Sequence, residues 1–299
     1  MTYDCIIVGG GIAGLQAAIQ LGRYSHNVLV IDASHGRSVL CRNYHNILGW
    51  PDGVSGEELR RLGRQQAERY GIRFQDDLIV QAERSGEDFR LEGRSGATYS
   101  GRKLLLATGV MDRFPELPGL VPCLGMTLYI CPDCDGYEIR DRHTLVLGSG
   151  EPGARMALLL ADDARSLVYI NHEREALMEE TAAKLERHGI RRLDEPIAEV
   201  LTEGDGLLTG VRLKSGEVVK AERGFLSFGG NEVRSDLAKQ LGVERLENKH
   251  IVCDPRSRKT NVPGVWAAGD VGVHAEQVTI AMGDGTTAAI WIHKELVQE

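Results

Sequence analysis

The sequence predicts an α/β chain built on two nucleotide-type βαβ units, and three observations predict it. Asp4 to Val8 is a short, continuous apolar run that enters a G-x-G-x-x-G turn, Gly9 to Gly14, and then a stretch with helical spacing. A similar unit recurs at mid-chain, where Thr144 to Leu147 leads into Gly148-Ser149-Gly150-Glu151-Pro152-Gly153. The 299 residues include 36 glycines and only 5% aromatics, the balance expected of nucleotide-binding α/β chains.

The first unit carries the stronger signal. A run such as DCIIV, apolar at every position, reads as a strand buried on both faces. In the turn, Gly9 permits the tight bend, Gly11 lets a pyrophosphate approach the backbone, and Gly14 allows close helix–strand packing. The helix start then offers free N–H groups and positive dipole to phosphates. A second strand, Val28 to Ile31, ends at Asp32, 18 residues past Gly14, where a carboxylate can accept ribose hydroxyls.

In the mid-chain unit the candidates for a nicotinamide nucleotide are Gly148, Gly150 and Gly153. Two features work against an anion there. Glu151 adds a carboxylate to the turn, and the next strand, Leu167 to Ile170, ends in Asn171-His172-Glu173, with neither a clean ribose acid nor an arginine pair for a 2′-phosphate.

Between and after these units, Leu104 to Leu106 reads as a strand ending in the Ala107-Thr108-Gly109 turn, and Phe114 to Gly119 as a Pro-rich crossing between domains. Ser55 and Glu58 have capping-box spacing for a helix running to about Tyr70, with Gly71 at its C′ position. The helix's Arg60, Arg61, Arg64 and Arg69 read as a solvated face. Near the end, Val265 to Ala268 precedes Gly269-Asp270, and a closing helix is expected from Gln277 to Glu299.

Cys131-Pro132-Asp133-Cys134, followed by Asp135, is the chemical centre of the sequence. Two thiols at this spacing can close a small disulfide or hold one stabilised thiolate. Asp135 reads either as the group that moves the proton exchange requires, because a neutral thiol is a poor nucleophile, or as a helix cap or turn residue. A zinc reading needs a second ligand pair, but Cys5, Cys41, Cys123 and Cys253 are scattered singly, so no metal is expected. Cys5 reads as core and Cys123 as a buried spectator.

Composition narrows the partners. A net charge of −8 argues against nucleic acid and anionic membranes. Six cysteines are too few for a disulfide scaffold. Without an apolar run of about 18 residues or a secretory pattern at Met1-Thr2-Tyr3, the expectation is a soluble, cytoplasmic chain.

Taken together, GGGIAG with Asp32, Ala107-Thr108-Gly109, CPDCDG, GSGEPG, and GVWAAGDV with EQVTIAMGDGTTAA after it resemble the low-molecular-weight thioredoxin reductase family over essentially the whole chain. The resemblance implies two Rossmann-like three-layer ββα domains, the second inserted in a discontinuous FAD domain: 1–113 and 243–299 for FAD, 114–242 for an NAD(P)-binding-like domain carrying the CxxC. It implies that Gly9, Gly11, Gly14 and Asp32 hold the adenosine half of FAD, with Thr108 and Gly109 nearby. Asp270 would hold the ribityl–phosphate region, and Gln277 and Val278, at the last helix start, would approach the flavin ring. Cys134 would face the flavin and Cys131 would attack the outside disulfide, with Asp135 as acid/base. Rotation of the inserted domain, with hinges near Pro115–Gly119 and Gly229–Gly230, and a homodimer are further implications.

The sequence departs from that family at several places. Glu173 stands where a 2′-phosphate would seek arginine, so NADPH specificity is not supported; Glu276 replaces an arginine before the flavin-side glutamine; the flavin segment reads Gly36-Arg37-Ser38-Val39-Leu40; and Pro132 stiffens the CxxC loop. The expected activity is an FAD-dependent thiol–disulfide oxidoreductase passing electrons from NADH or NADPH to thioredoxin or a similar small disulfide protein. Its rivals are a ferredoxin-dependent enzyme lacking a working NAD(P)H site, a small-molecule dithiol oxidase, and a redox-sensing flavoprotein without turnover.

Overall fold

In the computed structural model, which describes residues 2–273 and 275–298, the chain divides into two units. The first comprises 1–39, 56–111 and 232–299; the second comprises 40–55 and 112–231.

Among the described residues the first unit holds a seven-stranded sheet. Its parallel core runs Arg73–Asp76, Val28–Asp32, Thr2–Val8, Thr98–Leu106, with Val265–Ala267 also pairing to Thr98–Leu106. Asp88–Gly93 and Ile79–Ser85 extend it antiparallel. The uninterrupted apolar run at 5–8 has a two-sided explanation. Cys5 and Ile7 join Val28, Val30 and Leu105 in one core against the helices Ile12–Arg23 and Val278–Leu296, while Ile6 and Val8 join Leu29, Ile31, Leu104 and Leu106 in the other. The thiol of Cys5 is fully buried there, and its pKa is pushed far up by that burial, as befits core.

The second unit repeats the theme. Its parallel sheet runs Arg191–Leu193, Ser166–Asn171, His143–Gly148, Arg223–Ser227, Leu128–Tyr129, beside a three-stranded antiparallel sheet of Ile197–Glu203, Leu207–Leu213 and Val218–Lys220. The helix Gly150–Leu159 follows the central strand directly.

The division differs from the expected boundaries in three places, the smallest being that the first unit's middle stretch ends at Met111 rather than 113. The first unit resumes at Glu232 rather than 243, because Glu232 and Val233 pair antiparallel with Met111 and Val110. Residues 40–55 group with the second unit, where Arg42 N–H donates to the Leu124 carbonyl and a short bridge joins Tyr44 to Val54. The segment Pro115–Gly119, expected as a hinge, is knitted into the second unit: the Pro118 carbonyl accepts the Val200 N–H at 2.8 Å. At the crossings, Asn231 ties both chains, its amide nitrogen on Asp112 and its amide oxygen on the Arg113 N–H.

Leu105 is fully buried in the central sheet, whereas Val80 is 44% exposed. Leu105→Ala is expected to cost about 2–5 kcal/mol through lost burial and cavity formation, and Val80→Ala within about 0.5 kcal/mol of nothing. Urea unfolding of the two variants, compared by midpoint at unchanged slope, checks the contrast.

Candidate functional site

The two glycine turns share one packing logic. A Cβ on Gly9 (φ 109°) would collide with the Ala107 carbonyl oxygen, and one on Gly14 with the carbonyl of Gly9. In the second unit, a Cβ on Gly148 would strike the Ser227 carbonyl, and one on Gly153 would press on the Tyr169 ring. In both units these glycines let strand, turn and helix approach one another.

The middle of the turn separates the two units. At Gly11 a Cβ would meet nothing within 4 Å. The helix that starts at Ile12 has no side-chain cap and no acidic residue in its first turn, leaving its opening face electropositive. Asp32 Oδ1 accepts the Gly10 N–H at 3.0 Å, and its Oδ2 accepts Arg60 at 2.7 Å. A cavity of about 280 Å³ opens here, lined by Gly10, Leu15, Asp32, Ser34, Arg60 and Phe74 among others. Arg60 therefore departs from the expected solvated face: the helix Gly56–Glu68 turns it inward onto Asp32. Arg61 and Arg64 do pair along the exposed surface, with Glu58 and Glu68.

Two of the sequence departures meet in space. The Arg37 guanidinium contacts both Asp270, at 3.1 Å, and Glu276, while His250 Nε2 lies 3.4 Å from Glu276. The acid at 276 thus has a cation on the flavin segment opposite it. Behind Asp270, the Gly269 N–H donates to the buried Asp284, whose other oxygen takes Arg258 at 2.8 Å. Thr108 and Gly109 both contact Arg234, the hydroxyl donating to its carbonyl and the Gly109 carbonyl accepting its N–H. Gln277 is the N-cap of the helix Val278–Leu296; the expected last residue of that helix, Glu299, lies outside the described residues.

The second turn is closed by its own side chains. Asn171, fully buried, accepts the Gly150 N–H at 3.0 Å and donates to the Glu175 carbonyl and to Asp194. The Glu175 carboxylate stands where a Cβ on Gly150 would point, at 2.6 Å. Glu173 takes the Arg113 guanidinium, and its pKa is lowered, first by the Ser149 hydrogen bond and then by Arg113. Glu151 points away from the turn, accepting the Met178 N–H and the Thr181 hydroxyl.

Cys131 and Cys134 form a disulfide, with Cα atoms 5.3 Å apart. Pro132 occupies the first position of the short helix Pro132–Asp135, where its missing N–H costs nothing. The Cys134 and Asp135 N–H groups both donate to the Cys131 carbonyl, at 3.2 and 3.0 Å. Burial pushes the Asp135 carboxyl up to about 6, against a pull downward from His45. His45 Nδ1 lies 3.7 Å from Asp135 Oδ1, and its Nε2 is 3.0 Å from the Asn43 amide nitrogen. Sequence reading missed Asn43 and His45, since neither has motif spacing. It placed Cys123 as a spectator, and that thiol is buried, donating to the Gly119 carbonyl. Among the described residues no group of three or more His, Cys, Asp or Glu side chains could hold a metal ion, and no helix is long and apolar enough to cross a membrane.

A disulfide with a near-neutral carboxyl in one Rossmann unit, and an open dinucleotide turn in another, define a flavin-type disulfide oxidoreductase. A model of the pyridine nucleotide-disulphide oxidoreductase family matches residues 3–285, and the chain belongs to that family, in its low-molecular-weight thioredoxin reductase branch. It is 29% identical over 306 residues to thioredoxin reductase aclD of Aspergillus oryzae, covering 98% of this chain and 96% of that one. It is 30% identical over 300 residues to the thioredoxin reductase of Streptomyces coelicolor, covering 96% and 92%. The crystal structure of HlmI superimposes with a TM-score of 0.87 at 30% identity, covering 99% of this chain and 93% of that one. The chain is accordingly an FAD-dependent thiol–disulfide oxidoreductase of thioredoxin reductase type.

Of the family's two nucleotides, FAD fits the first turn, where open space at Gly11, an uncapped helix start and the adjoining cavity leave room for a pyrophosphate and an adenosine. At the second turn the family's nicotinamide nucleotide, which remains possible, would bring its pyrophosphate against the Glu175 side chain and a Gly150 N–H already bonded to Asn171.

This contrast predicts two different glycine phenotypes. Gly11→Ala is expected to leave the thermal unfolding of the apoprotein within about 1 °C of the parent while weakening FAD binding at least ~10-fold, by blocking the pyrophosphate approach. Gly14→Ala is expected to weaken both, costing the apoprotein about 1–3 kcal/mol through overpacking. Apoprotein melts and FAD fluorescence titrations check this.

Proposed function

We propose that FAD on the first unit exchanges an electron pair with the Cys131–Cys134 disulfide, and that this pair exchanges in turn with the disulfide of a small thioredoxin-like protein. The carrying observation is the closed disulfide followed directly by Asp135, whose carboxyl is poised at about 6 to trade protons near neutral pH. FAD, when bound, supplies two-electron chemistry. On this chain, Gly9, Gly11, Gly14 and Asp32 hold its adenosine half; Asp270, Gln277 and Val278 serve its ribityl and ring side. Cys131 is the attacking thiol and Cys134 the sulfur that trades electrons with the flavin. The similarity to thioredoxin reductases of Aspergillus oryzae and Streptomyces coelicolor supports thioredoxin as the partner. The family resemblance likewise supports a homodimer.

A second reading is favoured by the closed turn at Gly150. With Glu175 and Asn171 on that turn and Glu173 holding Arg113, the electrons need another entrance. One is a one-electron protein such as ferredoxin. The other is a small dithiol, oxidised at Cys131–Cys134 with the electron pair leaving through the flavin to dioxygen, using the same residues in the opposite direction.

Stopped-flow flavin bleaching under anaerobic conditions, with NADH, NADPH, reduced ferredoxin and dithiothreitol side by side, tests these readings. Fast bleaching by NADH or NADPH with turnover of a thioredoxin disulfide supports the reductase with a nicotinamide donor, and fast bleaching by ferredoxin the ferredoxin-driven one. Bleaching by the dithiol alone, with peroxide formed on admitting air, supports the oxidase. A flavin that none of them reduces sinks the proposal.

A further inference from the structure

A half-buried carboxyl needs a partner to stay available as a base. We propose that His45, its tautomer fixed by Asn43, is the positioning residue for Asp135; this rests on the proposed role of Cys131–Cys134. The two side chains come from distant parts of the sequence and are 27% and 17% exposed, so they meet largely out of water.

The geometry sets the direction of the contact. The Asn43 amide nitrogen can only donate, so His45 Nε2, 3.0 Å away, accepts, and the ring proton resides on Nδ1. Nδ1 is buried, has no other hydrogen-bond partner among the described residues, and lies 3.7 Å from Asp135 Oδ1. A shift of about 0.7 Å closes that gap to a hydrogen bond. With Oδ1 engaged by His45, Oδ2 is left for the thiol.

Asn43 is itself held in place. Its backbone carbonyl accepts the Cys41 thiol at 3.3 Å, and the neighbouring Tyr44 exchanges two backbone hydrogen bonds with Val54. Gly53 (φ 80°) lies against the Asn43 amide so closely that a Cβ there would collide with it. A loop built this tightly around one amide is placing that amide.

In the exchange step, Asp135 takes the Sγ–H proton of Cys131. The sulfur's electron pair forms a bond to one sulfur of the outside disulfide. That disulfide's own S–S bond breaks with its pair on the second sulfur, which collects the proton. A hydrogen bond from His45 favours the carboxylate that starts this sequence and opposes the burial that disfavours it. The other titratable groups facing Asp135 do not do so. Cys41 is a neutral thiol, pushed up to about 12 by burial; Tyr129 is neutral for the same reason; and Glu138, on the following turn, is a like charge that raises Asp135.

The test is a pH titration of the Asp135 carboxyl by ¹³C NMR in aspartate-labelled holoenzyme, with Asp135→Asn assigning the signal, run beside the pH profile of exchange with a small aromatic disulfide. His45→Phe is expected to move the Asp135 midpoint, and the acid limb of the profile, upward by about one pH unit, with about a fivefold loss of rate at pH 6. His45→Gln, which keeps a donor, is expected to recover most of both. Asn43→Ala, which leaves the imidazole but frees its tautomer, moves the midpoint in the same direction and serves where the phenylalanine variant does not fold. A midpoint unmoved by His45→Phe or Asn43→Ala, or a rate lost equally at every pH, overturns the proposal. A shifted midpoint in an enzyme that exchanges with no disulfide or dithiol leaves His45 in its role and sinks the proposed function instead.

Discussion

Thiol–disulfide exchange moves a proton whenever a sulfur gains or sheds electrons, and the group we propose to move it here is a carboxyl whose charge its surroundings resist. Burial draws Asp135 toward its neutral form and His45 draws it back, leaving it near 6. A fully exposed aspartate would sit near its usual ~3.9 and return a proton to sulfur poorly; one buried without a partner would hardly ionise. The second unit is arranged around that compromise: residues 40–55 leave the first unit, and Gly53 and Gly125 let the backbone near Asn43 and Cys41 pack without room for a Cβ.

The two Rossmann units show how one backbone device serves opposite ends. In both, glycines at the first and last turn positions let strand, turn and helix close on one another. What differs is the charge and occupancy at the middle. Gly11 faces open space before a helix start without acids, while Gly150 faces Glu175 and gives its N–H to Asn171. A fold can thus be retained for its strands and its cysteines while its nucleotide end carries carboxylates.

Much of this was legible in the sequence because it depends on neighbours in the chain. The apolar run at 5–8, the glycine spacings, the strand ending at Asp32 and the Cys131–Cys134 pair are all local signals. The conflict at the second turn was visible too, though its agent was not: Glu151 points away and Glu175, unremarked in sequence, does the covering. Arg60 was misjudged because helix periodicity does not say which neighbour a helix faces. Arg37 and Glu276 each read as an isolated departure, and only the fold sets them opposite one another. His45 and Asn43 were invisible because the destination of 40–55 is decided by long-range packing.

The central claim is that the sulfur of Cys134 exchanges electrons directly with a flavin held by the first unit. The visible spectrum of the Cys131→Ser holoenzyme tests it most directly, since that change leaves Cys134 as a lone thiol. The account predicts a broad long-wavelength band, from a thiolate donating charge into the oxidised ring, that fades on acidification and is missing from Cys134→Ser. Identical, unperturbed flavin spectra for both variants at every pH would contradict it.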